Sequence, residues 1–140
     1  MRLQASPQAG SDVYFTALCD VSDAIGQAVY IYGDKIGDLY QVRRVDITDR
    51  NKIPARGIII EKLNAGSKCI VQRAGVVRDL PAYTGMTPQR ELHVGPDSYI
   101  TQNTFERPLA GIAAMQIIGH ALADNEFLIS LESPIILVAN

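Results

Sequence analysis

The sequence predicts an all-β fold: a single small antiparallel β-barrel or β-sandwich, preceded by an extended amino-terminal arm. Three observations predict it. Short apolar runs recur along the 140 residues, among them Ala28-Val29-Tyr30-Ile31, Gly57-Ile58-Ile59-Ile60 and Met115-Gln116-Ile117-Ile118. Gly, Pro, Asp and Asn separate these runs, and such residues supply turns between strands rich in β-branched and aromatic side chains. Sustained helical periodicity is absent throughout.

Residues 1–12 are mostly Gln, Ala, Ser, Pro and Gly with little to bury, which predicts the arm. Residues 13–19 form a first strand and residues 28–32 a second, with Val29 and Ile31 on one face and Tyr30 and Tyr32 on the other. Gly33, Asp34, Gly37 and Asp38 turn the chain into a returning strand at 39–42; their spacing matches neither a P-loop nor an EF-hand. Residues 43–52 are the most polar internal stretch, either one helical turn capped by Thr48 or Asp49 or a plain surface loop. A strand at 57–62 passes through a tight connection into a strand at 68–73. Neither face of the latter is cleanly apolar, which suits a sheet edge or an interface. Ala74-Gly75 marks a bulge or corner.

Residues 80–88 read as a loop, and strands at 92–94 and 99–101 flank the turn Gly95-Pro96-Asp97-Ser98. Residues 102–114 form a further loop. A hairpin follows from 115–121 and 126–131. After Pro134 comes the uninterrupted apolar run Ile135-Ile136-Leu137-Val138. A strand facing solvent alternates, so this one is expected to be covered on both faces. Residues 13–140 are thus one β-domain, long enough to bury roughly 70% of the surface of the unfolded chain.

Composition narrows the function classes. Mean hydropathy is +0.06 with 47% hydrophobic residues, which fits either a well-filled core or a surface covered by other subunits. Residues 1–40 carry two cations against five acids, residues 41–90 ten against four, and residues 91–140 one against six. A basic middle between acidic flanks suits head-to-tail contact between copies; interleaving within one subunit is the other reading. The formal charge of −2 and the lack of aromatics among the cations argue against nucleic acid. No apolar run reaches the roughly 20 residues of a membrane helix, and residues 1–7 do not have the apolar stretch expected of a secretory signal. A soluble protein made in the cytoplasm is expected.

Chemistry is sparse. His93 and His120 both lie within predicted strands, and no Gly-x-Ser-x-Gly elbow is present. Cys19 and Cys69 read as small buried hydrophobes, their pairing left open. With the histidines they lack the short spacing of a zinc site. Asp20, Asp23, Asp46 and Asp49 sit in polar turns, where caps are expected. Tyr30, Tyr32 and Tyr40 surround one hairpin, and cross-strand packing or a sugar-stacking ladder is the use expected of them. Deoxyuridine triphosphatases are all-β proteins of similar length, but their Gly-rich carboxyl-terminal motif and their Asp- and Tyr-bearing uridine loop are missing here. No catalytic role, metal or cofactor is expected.

The order of motifs resembles a small β-domain of structural proteins in tailed bacteriophages, found in head decoration (cement) proteins and tail appendages. The residues carrying the resemblance are Ala28-Val29-Tyr30-Ile31, Ile53-Pro54-Ala55-Arg56-Gly57-Ile58-Ile59, Ala74-Gly75-Val76-Val77, Glu91-Leu92-His93-Val94-Gly95 with Tyr99-Ile100-Thr101, and Gln116-Ile117-Ile118-Gly119-His120-Ala121-Leu122. Together they span about four-fifths of the chain. Where such domains often have Gly in the turn after the fourth motif, this chain has Ser98. The resemblance implies a virion component on the capsid surface, a homotrimer without cofactor whose partner is the major capsid protein. A tail fibre or baseplate appendage with receptor-binding work is the alternative. In the cement picture residues 1–12 clasp a neighbour. Arg43, Arg44 and Arg50 face an acidic capsid or subunit surface, and Ile135, Ile136, Leu137 and Val138 lie against sister chains.

Overall fold

Two apolar runs, in residues 28–31 and 57–60, are continuous because each forms a strand buried on both faces. The computed structural model describes residues 13–103 and 114–136; the expected arm at 1–12 and Leu137 and Val138 lie outside them. Strands β1 (Tyr14–Leu18), β2 (Ala28–Ile31), β3 (Tyr40–Arg44), β4 (Gly57–Leu63) and β5 (Lys68–Gln72) close into a barrel in the order β1-β3-β2-β4-β5. Strands β6 (Gly75–Arg78), β7 (Glu91–Val94), β8 (Ile100–Thr101), β10 (Ile117–Ala123) and β11 (Glu126–Ile129) form a second sheet in the order β6-β11-β10-β7-β8. A two-stranded sheet joins β9 (Ala114–Met115) to β12 (Ile135–Ile136). The all-β class is as expected, but barrel and second sheet occur together. The barrel is also not purely antiparallel, for β1 runs parallel to β3 through Ala17↔Tyr40 and Leu18↔Gln41.

Two cores result. Inside the barrel, Ala17, Cys19, Val29, Val42, Ile59, Cys69 and Val71 pack together. Outside it, Ala28 and Ile58 meet Leu92, Val94, Ile118 and Phe127 of the second sheet. The alternation of strand side chains sends Val29 and Ile59 inward and Ala28, Tyr30 and Ile58 outward. The wall made by β2 and β4 therefore belongs to both cores.

β5 was expected at an edge or interface, and this is corrected: it pairs with both β1 and β4. Its mixed pattern arises because Cys69 and Val71 fill the barrel while Lys68 and Ile70 remain half-buried on the outer side. Gly57 is required where these strands approach, since a Cβ there would lie 2.5 Å from Val71 Cγ1 and 2.6 Å from the Gln72 carbonyl oxygen. Ala74-Gly75 forms the corner from barrel to second sheet, and the buried Gln72 amide fixes it by donating to the carbonyls of Ala74 (2.9 Å) and Val76 (3.0 Å).

Polar side chains then bind the layers. Gln116 Oε1 accepts from the Ala55 N–H at 2.7 Å while its Nε2 donates to the carbonyls of Ala55 and Glu132. Tyr83 donates its hydroxyl to the Gly26 carbonyl and accepts from the Ile100 N–H. Ser98 sits at φ 74°, a region that favours glycine. Its buried hydroxyl donates to the Val45 carbonyl at 2.6 Å, and its own carbonyl accepts from the Ala28 N–H at 2.8 Å.

Candidate interaction surfaces

The polar stretch 43–52 divides between two elements. Arg43 and Arg44 end β3, paired with Tyr30 and Val29 of β2. The loop that follows buries Val45 and Ile47 and ends in a 3-10 turn, Arg50–Lys52, capped by Asp49, whose side chain accepts from the Asn51 N–H. The expected cap at Asp49 is present, whereas Arg43 and Arg44 belong to a strand.

The alternation of β2 and β3 places the Arg43 guanidinium against Tyr32. Its Nη2 donates to the Tyr32 hydroxyl at 2.8 Å, its Nη1 to the Val42 carbonyl at 2.8 Å, and its centre lies 4.4 Å from the ring centroid. Arg44 Nε pairs with Asp23 Oδ1 at 3.3 Å. Asp23 is buried, and its other oxygen accepts from the Asp20 N–H at 2.9 Å. Asp20 in turn accepts from the Ser22 N–H and hydroxyl, which with the charges of Arg43 and Arg44 hold its carboxyl below the usual carboxylate range. Lys62 Nζ donates to the backbone carbonyls of Asp20 and Asp23, tying this loop to β4.

These groups surround a cleft of about 330 Å³ whose charged lining is Arg43, Arg44, Lys52, Asp20 and Asp23. Arg43 and Arg44 are thus brought together as expected in one region, but Arg50 is not among the residues that line the cleft; Lys52 of the same turn is. Lys52 was missed because the contribution of a three-residue turn depends on its rotation, which sequence spacing does not reveal.

Ile135 and Ile136 were expected to be covered on both faces, and this is corrected. They are 63% and 43% exposed, since β12 is only two residues long in the described structure and pairs only with β9 there. The tyrosines of the first hairpin do not form one ladder. Tyr30 and Tyr32 are 6.4 Å apart, while Tyr40 packs edge-on against Phe15 at 5.9 Å, with Lys35 above its ring at 4.5 Å.

The histidines occupy strands, as expected. His93 of β7 is buried, and burial lowers its pKa, opposed by a hydrogen bond with the Asn103 backbone and by Glu91. His120 of β10 lies opposite Glu91 and His93 opposite Ile117, separate positions in one ladder. Cys19 and Cys69 are free thiols inside the barrel. Cys19 Sγ donates to the Gly66 carbonyl at 3.3 Å, and burial pushes the Cys69 thiol well above its ordinary range. Among the described residues, no three His, Cys, Asp or Glu side chains converge as a metal site.

No family model matches the chain, and no curated protein matches it. Among the described residues, the surfaces with groups placed to meet a partner include the cationic cleft beside β3 and the exposed apolar strand β12. The described ion pairs, Arg44–Asp23 and Arg78–Glu126, each join the basic middle of the chain to one acidic flank within a single subunit. Part of the charge segregation is accounted for by this interleaving.

Proposed function

We propose that this chain is a non-enzymatic structural component of a bacteriophage particle, a trimeric decoration protein that binds the major capsid protein and stabilises the assembled head. The observation that carries this reading is the exposed apolar strand β12. Ile135 and Ile136 are exposed on a short strand that pairs with β9 among the described residues, an apolar patch around which three copies can pack about a common axis. The motifs that carry the resemblance fall on β2, β4, β6, the β7–β8 hairpin and β10, the strands that build the body of the molecule. Three linked copies on one site gain avidity without a new kind of contact. Binding assembled heads in preference to separated subunits then shifts the equilibrium toward the intact shell.

Light scattering at increasing concentration tests the trimer, and incubation with expanded phage heads lacking decoration protein tests the role. The expected outcome is a trimer, uptake in multiples of three and heads that withstand higher temperature. Ile135→Lys gives a folded monomer that binds heads weakly. A wild-type monomer at all concentrations, or heads left bare, overturns the reading; binding to host envelopes instead assigns the chain to a tail appendage.

A further inference from the structure

The cleft beside β3 carries further the expectation that Arg43 and Arg44 face an acidic surface, and its test is separate from that of the virion reading. We propose that it binds the carboxylate of an acidic side chain on a partner protein. Three cations and two carboxylates line it, and both carboxylates are already engaged. Asp23 holds Arg44 Nε and the Asp20 N–H, and Asp20 Oδ1 holds Ser22. The cations therefore exceed internal demand by one charge.

Arg43 is pre-organised, with its guanidinium fixed on the Tyr32 ring and hydroxyl and on the Val42 carbonyl. Its conformational entropy is lost in folding and need not be lost again on association. Arg44 keeps 48% of its side chain exposed, and its ion pair runs through Nε. A guanidinium fork matches a planar carboxylate in geometry. Charge selects the ligand as well. A single surplus positive charge suits a monoanion, whereas a phosphate dianion would meet Asp20 and Asp23 with uncompensated repulsion. Tyr30 and Tyr32 line the same cleft and offer apolar ring surface to the methylenes of a glutamate stem.

NMR titration of the full chain with acetyl-glycyl-glutamyl-glycine amide, which carries a single carboxylate, and separately with inorganic phosphate, tests the site. The peptide is expected to shift the Arg43 and Arg44 Nε–Hε signals and the Tyr30 and Tyr32 rings, while phosphate at equal concentration leaves them unmoved. Arg43→Gln weakens peptide binding about tenfold. Lys52→Gln, on an exposed turn that tolerates the change, weakens it about threefold. Peptide shifts confined to other basic residues, equal shifts with phosphate, or full-strength binding by Lys52→Gln overturn the proposal. A positive titration with bare heads rejects the virion reading alone, and the reverse pattern rejects the cleft alone.

Discussion

The Tyr83 hydroxyl satisfies two backbone groups, the Gly26 carbonyl and the Ile100 N–H, from within the shared core. Its ring packs edge-on against Phe127 at 5.4 Å, so Tyr83→Phe preserves the packing and removes only the oxygen. Two buried groups then lose their partner, at a cost of about 3 kcal/mol, which urea denaturation should read as a lowered midpoint with unchanged slope. His93 adds a pH dependence of known sign. Its folded pKa lies below the ordinary value of 6.5 because burial disfavours the charged form. Below that pH the unfolded chain binds the extra proton more readily than the folded one. Stability is therefore full above pH 6.5 and falls as pH drops toward the depressed folded value. In His93→Gln the part of this decline due to His93 should disappear, so the stability difference between the two proteins narrows on acidification.

At the scale of elements, the strands were largely legible and their company was not. β2, β4, the β7–β8 hairpin and the β10–β11 hairpin lie where alternation and turn residues place them. Periodicity reports which side chains share a face but not what each face meets. β5 therefore read as an edge although it lies between two strands, and the run from Ile135 read as doubly covered although its described part is exposed. The doubly covered strands are instead β2 and β4, whose apolar runs are equally unbroken. Of the cleft, Arg43 and Arg44 were legible as neighbours on a polar stretch. Tyr32 and Asp23 were not, because they arrive from two other segments, and Lys52, although on the same stretch, is turned into the cleft by the 3-10 turn. The clamp at Gln116 left no sequence signal beyond a polar residue in an apolar run.

For the whole molecule, a wall common to two cores couples their stabilities. Ile59 fills the barrel and Ile118 the second core, yet neither core survives loss of β2 and β4. Ile59→Ala and Ile118→Ala should each cost about 3 kcal/mol and shift one and the same thermal transition. Coincident curves from far-UV circular dichroism and tyrosine fluorescence would establish this; two resolved steps would show that the sheets melt independently.

The Gln72 amide at the corner between barrel and second sheet has a further consequence. By donating to the Val76 carbonyl it occupies an outward-facing acceptor of β6, the terminal strand of the second sheet. A side chain thus takes the place that an intruding strand from another molecule would claim. Cross-β growth is discouraged at that one position without proline or added charge.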